Sequence, residues 1–237
     1  AHDYGTFEPF LRIAEFSDGD DGFYMLMNEA PHAVENAEIR LPATGDCLRL
    51  RLHNDETVRL HTADGTVRIS LQAGESAIFY FGAFDPAQFA APAEAAETQP
   101  LDLKWDIALR QTGIEQEFTP YRKESGLFNI TGKQGLPDFS GEMRYTAKFT
   151  LEQTGRYMLD LGKVGHTARL KVNGQDLGIR IGEPYAWDIS AAVQAGENTV
   201  EITAANTLVN RIHDRFSIYL QLLPSGVTGP VMLKKQT

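Results

Sequence analysis

Residues 143–204 read MRYTAKFTLEQTGRYMLDLGKVGHTARLKVNGQDLGIRIGEPYAWDISAAVQAGENTVEITA. Tyr145, Ala147, Phe149 and Leu151 fall on one face of a pleated strand, and Thr146, Lys148 and Thr150 on the other. A period of two with one apolar face is the pattern of a half-buried antiparallel strand. Ala168, Leu170 and Val172 repeat it and run into Asn173-Gly174. That dipeptide suits a tight hairpin, because both residues tolerate positive φ. Val200, Ile202 and Ala204 supply a further inward face. The stretch predicts an antiparallel β-sandwich with almost no helix.

Working outward, the 237 residues suit one large all-β domain or two smaller ones. The formal charge of -10 comes from 32 acidic and 22 basic residues. This balance argues against a non-specific nucleic-acid binder, which needs a basic face to displace phosphate counterions. No apolar run has membrane-spanning length, so no membrane partner is expected. The sole cysteine, Cys47, excludes an intrachain disulfide. AHDYGTFEPF at the start lacks the basic and apolar blocks of a signal peptide. It also lacks an initiator Met, so a processed product or a piece of a longer protein is expected. The cellular compartment is not legible.

Residues 1–84 read as a small all-β domain. Strands are expected around Leu11–Phe16, at Phe23–Met27 (as a run buried on both sides), and from Glu38 to Leu41. More follow through Cys47–Leu52, Val58–Leu60, Val67–Leu71 and Ser76–Phe81. Turns recur about every ten residues, the rhythm of a sandwich or barrel. Residues 85–103, DPAQFAAPAEAAETQPLDL, break that rhythm with Ala, Pro and Glu and read as a linker. Residues 104–237 form the second domain. Its first strand carries Trp105, Ile107 and Leu109, and a long loop is expected from Gln111 to Pro137. After the strands of the opening stretch, Ser190–Gly196 suggests one helical turn, Asn206–Ser217 a polar loop, and Ile218, Leu220 and Leu222 another strand.

In the second domain the order Phe139-Ser140-Gly141, Arg144-Tyr145, Tyr157 to Gly162, Val172-Asn173-Gly174, Gly178, Pro184-Tyr185, Asp188-Ile189, Gly196 to Thr199 and Gly229-Pro230-Val231 resembles the galactose-binding-like jelly-roll domain. The likeness is to the sugar-binding domain of family 2-type glycoside hydrolases and the C-terminal module of α-L-rhamnosidase-type enzymes, over about 100 residues. The first domain is similar, more weakly, to the small β-domain beside the catalytic barrel of such enzymes. The cues are Phe23 to Asn28, Asp64-Gly65 and Ala73 to Ser76. A β/α barrel takes about 250 residues with alternating helices, for which this chain has no room. The resemblance therefore implies accessory domains of a bacterial-type glycosidase whose catalytic domain is a separate partner. No cofactor is implied.

Candidate ligand-binding residues follow from chemistry. Tyr185 and Trp187, two apart on one strand, would stack on a pyranose if exposed and fill the core if not. Asn206, Asn210, Arg211, His213, Asp214 and Arg215 gather amides, guanidinium groups and a carboxylate, the groups that pair with vicinal hydroxyls. Arg122 and Asn129 would contribute from the Gln111–Gly135 loop. A structural network of ion pairs pinning the loop, or a contact with a missing catalytic domain, is the competing reading. Asp18, Asp20 and Asp21 fit a hairpin turn better than a calcium loop, which needs Gly where Phe23 stands. Cys47 reads as a buried small residue. His53 and His61 alone are too few for a zinc site, and no catalytic motif is present. The expected function is a non-catalytic carbohydrate-binding or supporting module. The alternatives are purely structural domains packing on a catalytic barrel and, third, a stand-alone glycosidase.

Overall fold

The structure, a computed structural model, describes residues 10–52, 56–91, 97–212 and 222–236. It is an all-β protein of antiparallel sheets divided into two compact units, Ala1–Glu94 and Ala95–Thr237.

The first unit contains β1 (Leu11–Asp18), β2 (Asp21–Asn28), β3 (Val34–Arg40), β4 (Gly45–Arg51), β5 (Glu56–Thr62), β6 (Thr66–Leu71) and β7 (Ser76–Phe81). Five of these form a sheet in the order β1-β2-β7-β4-β5, and β3 pairs with β6 in a second, smaller sheet. Tyr24, Leu26, Cys47 and Phe79 from the larger sheet pack with Ile39, Val67 and Ile69 from the smaller one. The acidic turn closes the β1–β2 hairpin, with Asp18 opposite Asp21 and Gly19 at φ 62°. Phe23–Met27 is not buried on both sides. Tyr24 and Leu26 face the core, whereas Met27, on the opposite face of β2, is 38% exposed. Gly65 sits at φ +83° where an added Cβ would lie 2.1 Å from Leu41 O, so only glycine fits this turn.

Asn28 ties this unit together. It is fully buried. Its Nδ2 donates to His32 O, Leu71 O and Gln72 O at 2.9, 3.1 and 3.0 Å, and its Oδ1 accepts from Ala30 N at 2.9 Å. Nearby, buried Glu75 lies 3.6 Å from Arg51. Desolvation raises the Glu75 carboxyl above the usual carboxylate range, and Arg51 opposes that shift. The folded state therefore binds this proton more tightly than the unfolded chain. The stabilisation is complete below the ordinary carboxylate value and is lost as pH rises through the folded one. Glu75→Gln is expected to flatten that descent in a melting-temperature profile from pH 4 to 8.

Cys47 is completely buried. Burial, with Asp46 adding to it, pushes its thiol up to about 11. At pH 8 only on the order of one thiol in a thousand is then ionised. We expect a thiol reagent to react slowly with the native protein and at least about a hundredfold faster in denaturant. Equal rates would contradict the packing.

The second unit begins with β8 (Glu97–Pro100), β9 (Trp105–Gln111) and β10 (Thr119–Ser125). It continues through β11 (Gly141–Leu151), β12 (Arg156–Asp160), β13 (Lys163–Gly165), β14 (Thr167–Val172), β15 (Gln175–Arg180), β16 (Ala186–Asp188) and β17 (Gly196–Ala205). A short helix α1 (Val209–Ile212), β18 (Gly226–Gly229) and β19 (Met232–Gln236) complete it. A six-stranded sheet, β10-β9-β11-β17-β14-β15, faces a four-stranded one, β16-β12-β19-β8. Trp105, Tyr145, Phe149, Leu170 and Ile202 from the first pack with Tyr157, Leu159, Trp187 and Leu233 from the second. Fully burying side chains of this size is worth roughly 1.5–3 kcal/mol each. Asn173 and Gly174, at φ 50° and 81°, close the β14–β15 hairpin as the sequence predicts.

Several sequence expectations are corrected here. The stretch read as a linker contributes β8, which pairs with β19. The loop read from Gln111 to Pro137 contains β10, paired with β9. Both are polar edge strands, which need no apolar alternation. Ser190–Gly196 forms a hydrogen-bonded turn instead of a helix. Leu222 lies in no strand, while Ile218 and Leu220 fall outside the described residues.

Candidate functional site

The two loops that the sequence singles out meet around a residue it does not. Ser225 is fully buried. Its Oγ accepts from Asn206 Nδ2 at 3.0 Å and Asn210 Nδ2 at 3.3 Å, and shares a 3.1 Å hydrogen bond with Thr131 Oγ1. Its N–H donates to Asn129 Oδ1 at 2.8 Å, and its carbonyl accepts from Ile130 N at 3.0 Å. Asn206 also accepts from Gly141 N at 2.8 Å and donates to Phe139 O at 2.9 Å. Asn206 is half-buried, and its amide, used internally at both ends, has little left for a ligand. Asn129, Asn206 and Asn210 thus clamp the ends of β11 and β17 to the segment before β18.

The other sequence candidates are dispersed. Arg122 is exposed, donates to Gln134 O at 2.7 Å and lies 4.4 Å over the Phe128 ring. Arg211 is exposed and donates to Thr112 O at 3.3 Å. His213, Asp214 and Arg215 lie outside the described residues. Tyr185 and Trp187 are not an exposed stacking pair. They are only 3% and 2% exposed, because β16 turns both rings into the space between the sheets. The Tyr185 hydroxyl donates to His166 O at 2.5 Å.

A concave surface lies on the outer face of the six-stranded sheet. Alternation sends Met143 and Tyr145, Ile202 and Ala204, and Ala168 and Leu170 into the core, so the residues between them point out. The register sets Glu142 beside Ala205 and Thr167, and Arg144 beside Thr203 and Arg169. Thr146 lies beside Glu201 and Lys171 in the next row. With Arg110, Phe118 and Ile179 these outward residues, Thr146 excepted, line a groove of about 450 Å³. Arg110 is ion-paired with Glu142, and Lys171 lies 3.8 Å from Glu201. The Arg110 and Arg144 guanidinium groups lie 4.8 and 4.4 Å from the Phe118 ring centroid. The groove can donate many hydrogen bonds to an oxygen-rich ligand.

Its two carboxylates are set apart along the sheet. Glu142 faces Ala205, four residues along β17 from Glu201. That separates their backbones by roughly 13 Å. Each carboxylate also has a cation beside it.

The two units together define an all-β fold of antiparallel sheets. No family model matches the chain. Its fold is similar to that of a rhamnosidase from Novosphingobium sp. PP1Y, with a TM-score of 0.65 at 24% identity, over 95% of this chain and 24% of that one. A GH2 beta-galacturonidase from Eisenbergiella tayi matches 60% of this chain and 25% of its own, at 18% identity and a TM-score of 0.43. In sequence, the chain is 31% identical over 84 residues to a protein of Formosa agariphila assigned as a candidate beta-glucuronidase. That match covers 33% of this chain and 7% of the relative. The chain thus spans about a quarter of the rhamnosidase and a small part of the curated relative.

Proposed function

We propose that this chain is a non-catalytic, carbohydrate-binding module of a glycoside hydrolase, made of a small β-sandwich and a galactose-binding-like jelly roll. The observation that carries this reading is the groove on the open sheet face, rich in hydrogen-bond donors, in a fold shared with part of a rhamnosidase. The saccharide sits on the outward residues of β11, β14 and β17. Arg122 and Arg211, both exposed, are peripheral contributors at most. Hydrolysis belongs to a separate catalytic domain of the parent protein. The test is a titration of the chain with galactosides and rhamnosides, followed by amide NMR shifts, beside an assay with chromogenic glycosides. Millimolar binding without turnover supports the reading. Turnover lost on changing a single carboxylate overturns it in favour of a stand-alone hydrolase.

A supporting role beside the catalytic domain has an observation of its own. Ile181 and Leu223, 84% and 59% exposed, line one groove together with Val164 and Pro224. Exposed apolar side chains gathered at one place suit contact with another protein surface. Ile181→Glu is expected to weaken association with the parent's catalytic domain supplied in trans and to leave saccharide binding unchanged.

A further inference from the structure

Resting on the carbohydrate reading above, we propose that the sheet-face groove recognises an acidic saccharide, one bearing a carboxylate or sulfate, at the row Arg144–Thr203–Arg169. The groove is lined by Arg110, Arg144, Arg169 and Lys171 against Glu142 and Glu201, four cations to two carboxylates. That local excess of two positive charges stands on a chain of formal charge -10. General solubility does not account for it.

The cations are not equivalent. Arg110 is held by Glu142 and Lys171 lies beside Glu201. Arg169 has a looser partner, with Nε 3.6 Å from Asp176 and both side chains over 40% exposed. Arg144 has no carboxylate partner among the described residues. Its guanidinium rests on the face of Phe118 instead, which orients it without neutralising it.

The register places the two less committed arginines on either side of one hydroxyl. Arg144 on β11 and Arg169 on β14 are both opposite Thr203 on β17, and β17 lies between them. Neighbouring strands run about 4.8 Å apart, so the two backbones flank Thr203 at about 10 Å, within the span of two arginine side chains. A planar carboxylate above Thr203 would take paired N–H bonds from a guanidinium and a third bond from the Thr203 hydroxyl. Ile179, opposite Arg169 and 53% exposed, offers an apolar wall for the sugar ring. The Phe118 ring does not offer one, because two guanidinium groups cover it.

Calorimetric titration with trigalacturonate, a sulfated galactose oligomer and neutral galactotriose tests this. At least one acidic oligomer is expected to bind about tenfold more tightly than the neutral one, with the preference shrinking as salt is raised. The tighter of the two identifies the anion. Arg144→Gln and Arg169→Gln should each weaken acidic binding about five- to twentyfold, and Thr203→Val about threefold, in each case by more than the same change weakens galactotriose binding. All three side chains leave the core, and an unchanged melting temperature shows that each variant is folded. Equal affinity for acidic and neutral oligomers, or acidic binding indifferent to Arg144→Gln, overturns the proposal and leaves the carbohydrate reading standing. No binding of any oligomer removes both.

Discussion

Replacing Ser225 by Val is expected to lower the stability of the second unit by about 3 kcal/mol. Valine removes the hydroxyl and carries the same extra bulk as its isostere threonine, so the difference between the Val and Thr variants is not steric. It comes from polar groups that lose the Ser225 hydroxyl, which is itself fully buried. Asn206 Nδ2, Asn210 Nδ2 and Thr131 Oγ1 all meet the Ser225 hydroxyl. Asn210 is buried, while Asn206 and Thr131 are half-buried; a donor left without its acceptor costs about 1–3 kcal/mol of desolvation, less what water entry or rearrangement returns. Both tryptophans, Trp105 and Trp187, lie in this unit's core, so their fluorescence in a denaturant titration reports on it alone. Ser225→Thr keeps the hydroxyl but adds a methyl, and is expected to cost less than Val. If Ser225→Val unfolds at the wild-type midpoint, the hydrogen-bonded clamp is not what holds these loops.

The second large effect belongs to the first unit. Asn28→Asp exchanges one NH₂ for an oxygen without changing shape. The side chain now faces three carbonyl oxygens, His32 O, Leu71 O and Gln72 O, with no hydrogen to give them when ionised. Burying an unpaired carboxylate there is expected to cost about 3–5 kcal/mol at pH 7. The penalty has a pH signature. Desolvation and the surrounding carbonyls favour the protonated acid, so the folded-state value rises above the unfolded one. The loss is therefore smallest below the ordinary carboxylate value and grows as pH rises above it. Cys47 provides the probe, because it is buried in the same core and is the only cysteine. Thiol labelling of the Asn28→Asp chain should accelerate at least about a hundredfold at pH 7 and slow again towards pH 4.5, after correction for the thiol's own ionisation. A loss of stability independent of pH would point to a packing defect instead.

The scaffold was legible because its strands bury one face each. Tyr145, Phe149, Leu170 and Ile202 announce themselves by period alone, and Asn173-Gly174 marks its hairpin. The edge strands β8 and β10 carry ETQP and TPYRKES, with Tyr121 alone packed against the core and no alternation to betray them. Tyr185 and Trp187 show the limit of periodicity. It places two residues on one face and does not say whether that face meets water. Ser225 is a small polar residue without a pattern, and only three-dimensional contact shows what converges on it.

The loop clamp was half legible. Asparagines in a turn-rich stretch signal hydrogen bonding, but the same groups serve a ligand or a fold equally well. The groove was hidden for a topological reason. Arg144, Thr203 and Arg169 each read as an ordinary outward residue of an alternating strand. Their adjacency depends on β17 inserting between β11 and β14, strands far from it in sequence. Non-local pairing of that kind leaves no mark in any single segment.

Mapping amide shifts on the assigned spectrum during titration with a bound saccharide tests the central assignment most directly. The account predicts shifts concentrated at Arg144, Arg169, Lys171 and Thr203 on the open sheet face, with Asn129, Asn206, Asn210 and Ser225 unmoved. Shifts confined to Asn129 and Asn206–Ile212, with the sheet face silent, would contradict it and return the ligand to the loops.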